Sequence, residues 1–134
     1  MQKVSASKRV LIVDDNVDAA ESLGMLLDLI GHRVCTIHVG GAALQGAREF
    51  EPDVVILDIS LPGMSGYQVA AALRNEPAFR NTVLIAMTGW SGEEDRRIAQ
   101  EAGFDFYLTK PVDAEKISRL LGQPRPTGEE SCAQ

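Results

Sequence analysis

The chain has 134 residues, 45% of them hydrophobic and 24% charged, a balance that argues against wholesale disorder. Nineteen acidic against thirteen basic residues give a net charge of −6, which argues against a surface built to coat nucleic acid or an anionic membrane. The length suits one domain. Two cysteines, Cys35 and Cys132, make no disulfide framework, and no apolar run approaches the roughly 20 residues of a membrane span, so a cytoplasmic setting is expected. A polar leader, residues 1–8, precedes Val10-Leu11-Ile12-Val13, an unbroken run that stops at Asp14-Asp15. Such a run predicts a strand buried on both faces, as in a parallel sheet. Leu23, Leu26, Leu27 and Ile30 recur at i, i+3, i+4 and i+7 and predict the inward face of a helix that Gly31 ends. Asp18, with Glu21 three positions on, gives it a charged first turn. Residues 33–39 alternate like an edge strand, and residues 40–50 form an Ala-rich helix that ends before Pro52.

Val54-Val55-Ile56-Leu57 is a second continuous apolar run, and it too halts at an aspartate, Asp58. A Pro/Gly-rich loop follows, after which Ser65 and Gln68 form a capping box for a helix with Val69, Ala72 and Leu73 inward. The run from Val83 to Met87 predicts a third buried strand and stops at Thr88. Ser91 and Glu94 make another capping box, opening a helix that buries Ile98 and Ala102 and stops at Gly103. Residues 104–108 alternate and lead into Thr109-Lys110-Pro111. Asp113 then caps a short last helix with Ile117, Leu120 and Leu121 inward. The folded domain is therefore expected over residues 9–121, between a flexible leader and a Pro-, Gly- and Ser-rich tail, 122–134, read as disordered.

Strand and helix alternate five times. That order implies an α/β, flavodoxin-like sandwich whose parallel sheet is covered by helices on both faces through right-handed crossovers. Two alternating strands flanking three continuous ones fit the order 2-1-3-4-5, which places a ligand beyond the strand carboxyl ends, between strands one and three. Asp14-Asp15, Asp58, Thr88 and Lys110 all fall at that edge. Singly they carry little weight. Asp14-Asp15 alone suits a solvated turn, Thr88 a satisfied strand-end hydroxyl, and Tyr107 an edge-strand aromatic. Together, three carboxylates in one crevice raise one another's pKa unless a cation intervenes, and an oxygen-only donor set suits Mg²⁺. A Lys and a hydroxyl beside it complete a receptor for a tetrahedral oxyanion, the parts phosphoryl transfer asks for, with a carboxylate as nucleophile.

The motifs Leu-Ile-Val-Asp14-Asp15-Asn, Ile-Leu-Asp58-Ile-Ser-Leu-Pro-Gly-Met-Ser-Gly, Ala-Met-Thr88-Gly and Tyr107-Leu-Thr-Lys110-Pro111 resemble those of the receiver domain of bacterial two-component response regulators. The resemblance covers about residues 8–121. It implies that Asp58 accepts phosphate, and that Asp15, Asp58 and the backbone carbonyl of Ser60 bind Mg²⁺ directly, with Asp14 acting mostly through water. It further implies that Lys110 and Thr88 contact the phosphoryl group, that Tyr107 is the rotating switch aromatic, and that the Lys110-Pro111 bond is cis. The implied partners are a histidine kinase or a histidine phosphotransfer protein, with no direct nucleic-acid or membrane binding. Such a protein is a switch that catalyses only its own phosphorylation and dephosphorylation.

Two competing readings share parts of this pattern. A Mg²⁺-dependent phosphatase with an aspartyl nucleophile calls for Asp-x-Asp after its first strand, whereas Asp14 and Asp15 are adjacent. A receiver-fold adaptor would act without phosphorylation. A dinucleotide site is excluded because no Gly-x-Gly-x-x-Gly follows the first strand. Among the remaining residues, His32 and His38 are expected at the surface and Cys35 as a small buried hydrophobe. Arg96-Arg97 are expected on a solvated helix face, and Trp90, the single tryptophan, in the crevice loop.

Overall fold

The three continuous apolar runs form the middle of the sheet, where both faces are covered and no polar side chain is tolerated. The structure, a computed structural model, describes residues 7–89 and 92–122. Strand β1 spans Arg9–Val13, β2 Arg33–Ile37, β3 Val54–Asp58, β4 Val83–Thr88 and β5 Phe106–Thr109. All pairings are parallel, in the order β2-β1-β3-β4-β5. The helices are α1 (Val17–Ile30), α2 (Ala43–Phe50), α3 (Gly66–Arg74), α4 (Glu93–Ala102) and α5 (Ala114–Leu121). Successive strand residues point to opposite faces, so the core divides in two. Leu11, Val13, Val55, Leu57, Leu84 and Ala86 meet α2, α3 and α4 through residues such as Ala47, Leu73 and Ala99. Val10, Ile12, Ile56, Ile85 and Met87 meet α1 and α5 through Leu23, Leu27 and Ile117.

Several local expectations hold. Ser65 and Gln68 form a reciprocal capping box, Asp113 caps α5 through the N–H of Glu115, and Asp18 lies in the first turn of α1. The Ser91 side of the second box lies outside the described residues, as do Trp90, Cys132 and residues 1–6 and 123–134; α4 begins after Gly92.

Other expectations are corrected. The edge strands are shorter than alternation suggested: β2 ends at Ile37, not residue 39, and β5 starts at Phe106, although Phe104 is itself buried. Residues 40–50 open with a 3₁₀ turn over Gly40–Ala42 before α2 begins. Leu26 is 46% exposed, because α1 turns Ala20 and Gly24 to the sheet instead. Ala72, Ile98, Ala102 and Leu120 are only half-buried, with Ala70 and Ala99 holding the fully buried places. Cys35 is half-buried on an edge strand and packs against the core as a free thiol. His32 is buried, not superficial. Its Nδ1 accepts from the Lys8 N–H at 3.1 Å, and its Nε2 lies 3.3 Å from Ser118 Oγ, so the ring ties β1, the α1–β2 turn and α5 together.

Candidate functional site

Parallel strands expose their last residues along one edge, and the sheet order opens a crevice there between β1 and β3. Asp14 follows β1, Asp58 ends β3 and Thr88 ends β4; these are 2%, 4% and 1% exposed. Asp15 stands exposed beside them. Asp14, Asp15 and Asp58 each offer a carboxylate oxygen within 4.8 Å of the others. Lys110, just past β5, reaches over the edge, placing Nζ 2.9 Å from Asp58 Oδ2 and 3.8 Å from Asp14 Oδ2. Its N–H donates to the Thr88 carbonyl at 2.7 Å, fixing the end of β5 against β4. The Lys110-Pro111 peptide is cis.

The remaining carboxylate oxygens are held by the chain itself. Asp58 Oδ1 accepts from the Ser60 N–H at 2.9 Å, and Asp14 Oδ1 from the Asn16 N–H at 3.0 Å. Gly66 allows α3 to start directly against this strand end, since a Cβ there would lie 2.6 Å from the Asp58 carbonyl oxygen. Burial pushes the Asp14 carboxyl above its ordinary value; the Asn16 N–H opposes this, and neighbouring Asp58 adds to the rise. Burial by itself would lower Lys110, but its hydrogen bond to Asp58 and the charges of Asp58, Asp14 and Asp15 outweigh it and hold the ammonium above its ordinary value. One ammonium thus faces three carboxylates. The excess negative charge and the all-oxygen donor set fit a hard divalent cation such as Mg²⁺.

Tyr107 is half-buried in β5 opposite Ala86 of β4, with the Arg96 guanidinium 5.4 Å from its ring centroid. Arg96 therefore covers an aromatic ring, while Arg97 pairs in solvent with Glu94 and Glu101. Two supporting residues escaped the sequence reading. Asn16 both holds Asp14 and caps α1 through the N–H of Ala19, a role that Asn directly before a helix could have signalled. His38 binds the backbone carbonyl of Asp14, for which the sequence carries no signal.

A family model described as "Response regulator receiver domain" matches residues 10–121. The chain belongs to the response regulator receiver domain family. It is 41% identical over 124 residues to the transcriptional regulatory protein PrrA of Mycobacterium tuberculosis, a match covering 91% of this chain and 52% of that protein. This receiver thus spans about half the length of such curated relatives. Its fold matches the chemotaxis protein CheY4 of Vibrio cholerae at a TM-score of 0.82, with 27% identity over 87% of this chain and 98% of that one. The receiver domain of the sensor histidine kinase PA1611 of Pseudomonas aeruginosa, described with a magnesium ion coordinated in its active site cleft, matches at 0.77. That pair is 28% identical over 87% of this chain and 95% of the other. Receivers of this family are signalling switches rather than enzymes of the ordinary kind. Among the described residues, no helix is long and apolar enough to cross a membrane.

Proposed function

We propose that Asp58 accepts a phosphoryl group from a phosphohistidine of a histidine kinase or phosphotransfer protein, and that residues 9–121 are the working unit. The observation that carries this reading is Asp58 itself. It is a buried carboxylate with Oδ1 on the Ser60 N–H and Oδ2 on Lys110, open to the crevice beside Asp14 and Asp15. An Asp58 oxygen attacks phosphorus, the P–N bond of the donor breaks, and the departing imidazole takes its proton from solvent. Lys110 then exchanges its bond with the carboxylate for one with a phosphoryl oxygen, and the Thr88 hydroxyl donates to another. Asp15, Asp58 and the Ser60 carbonyl would hold Mg²⁺, with Asp14 acting through water; the ion supplies charge neutralisation for the incoming phosphoryl oxygens.

Phosphorylation adds roughly two negative charges at the sheet edge. Drawing Thr88 and Lys110 inward vacates space for Tyr107, remodelling the face of α4, β5 and α5. That face carries a groove of about 440 Å³ lined by Arg96, Gln100, Phe106, Tyr107, Lys116 and Leu120. The exposed apolar side chains Val17 and Leu26 on α1, beside the crevice, support a protein rather than a small molecule as phosphoryl donor. The same chemistry belongs to a cytoplasmic switch that processes only its own phosphate. The test is incubation with acetyl phosphate and Mg²⁺. The wild type gains an acid-labile, hydroxylamine-sensitive acyl phosphate on Asp58, detected by a mass increase that hydroxylamine removes, whereas Asp58→Asn gains none. Undiminished labelling of Asp58→Asn overturns the assignment, continuous phosphate release without accumulation identifies a phosphatase, and an unlabelled wild type identifies an adaptor.

A further inference from the structure

His38 is the first residue beyond β2, and its side chain reaches sideways to β1 rather than out to solvent. Its Nδ1 lies 3.1 Å from the backbone carbonyl oxygen of Asp14. A carbonyl oxygen only accepts, so Nδ1 carries the hydrogen in either charge state of the ring, and the tautomer is fixed by the contact. The same strand end grips the residue a second time, because the Asp14 N–H donates to the Ile37 carbonyl at 3.0 Å. The far side of the ring, Nε2, faces Glu21 of α1 at 3.9 Å.

The consequence follows from peptide planarity. The Asp14 carbonyl, the Asp15 N–H and the Asp15 Cα lie in one rigid plane, so fixing the carbonyl's direction fixes the Cα position from which the Asp15 side chain departs. Asp15 needs such a hold. It is exposed, and yet its carboxylate must stay within 4.8 Å of those of Asp14 and Asp58. We infer that His38 is a positioning residue for divalent-cation binding: its Nδ1–H clamps the Asp14–Asp15 peptide and so aims the Asp15 carboxylate into the crevice. This inference rests on the proposed Mg²⁺ site and extends it to a residue just past β2, a strand that contributes no ligand.

The decisive measurement is Mg²⁺ affinity by calorimetry in the unphosphorylated protein, across three variants. His38→Ala removes the donor and weakens Mg²⁺ binding about tenfold, the usual scale for losing an outer partner of a metal ligand. His38→Asn, whose amide N–H superimposes on Nδ1–H, restores most of the affinity. His38→Gln, whose amide superimposes on Nε2, does not. Acetyl phosphate kinetics should divide in parallel: His38→Ala needs more Mg²⁺ for half-maximal rate but reaches the wild-type rate at saturation. A wild type that binds no Mg²⁺ removes the metal site itself and the proposed function with it. A wild type that binds Mg²⁺ with His38→Ala equally tight overturns the positioning role alone. Equal weakening in all three variants, accompanied by a fall in urea midpoint, also overturns it, since that pattern marks lost packing and not a lost donor.

Discussion

Asp14 shows how one buried carboxylate can stabilise a site's chemistry and destabilise the fold that holds it. Its pKa is raised mainly by burial, with Asp58 adding to the rise. A raised carboxyl pKa means the folded protein holds that proton more tightly than the unfolded chain does. The associated stability is full below the ordinary value of 3.8 and is lost as pH climbs through the raised value. At neutral pH the metal-free protein carries the penalty. Asp14→Asn keeps an acceptor for the Asn16 N–H but removes the charge. Its metal-free form is expected to melt a few degrees higher at pH 7, equivalent to about 1 kcal/mol. The variant's stability should also vary less between pH 4 and 7, and its Tm should rise less on adding Mg²⁺. Thermal melts with and without Mg²⁺ check all three, and a lower metal-free Tm contradicts the repulsion argument.

At the level of elements, two glycines show that the obstacle decides the cost of a side chain. A Cβ at Gly66 would meet backbone, the Asp58 carbonyl oxygen at 2.6 Å and the Ile59 Cα at 2.8 Å. Backbone cannot rotate away, so Gly66→Ala must push α3 off the end of β3. A loss of about 2–3 kcal/mol in urea unfolding is expected, together with slower labelling of Asp58. A Cβ at Gly46 would lie 2.0 Å from Ile37 Cδ1, the tip of a flexible chain. Gly46→Ala should therefore stay within about 1 kcal/mol of wild type, the gain in helix propensity offsetting the repacking. Arg74 is the other element-scale fastening. From the end of α3 its guanidinium donates to the carbonyls of Gly103, Phe79 and Thr82 and to the carboxylate of Asp105, whose side chain is fully buried. Asp105 also accepts from the Leu84 N–H. Arg74→Ala removes the guanidinium from that buried carboxylate and should cost about 3–5 kcal/mol. A urea midpoint close to wild type would show that water replaces the guanidinium.

Across the whole molecule, the sheet's two ends respond to pH in opposite senses. At the amino-terminal end, burial and the charge of Lys8 lower the pKa of His32 below its ordinary 6.5. Neutral His32 accepts from the Lys8 N–H, so its stability is full above 6.5 and is lost as pH falls below it. His32→Asn should flatten the drop in unfolding free energy between pH 7.5 and 5.5; a slope identical to wild type places the titration elsewhere. Asp14, at the carboxyl end, loses stability as pH rises from its ordinary 3.8 through the raised value. His32 also marks a limit of legibility. The residue follows a helix-ending glycine, and it is held by partners distant in sequence, the Lys8 N–H and Ser118 of α5. By contrast, the sheet order and the gathering of Asp14, Asp58, Thr88 and Lys110 at one edge were determined by the sequence itself. Continuous apolar runs are tolerated only in central parallel strands, and parallel strands end on the same side. Periodicity misplaced Leu26 because a helix that lies across a twisted sheet buries its small residues, here Ala20 and Gly24, where the backbones approach most closely. The long-range fastenings, Arg74 to Asp105 and His38 to the Asp14 carbonyl, were decided by tertiary structure alone. Each joins residues more than twenty positions apart through a charge or a backbone atom, and neither leaves a spacing in the chain to read.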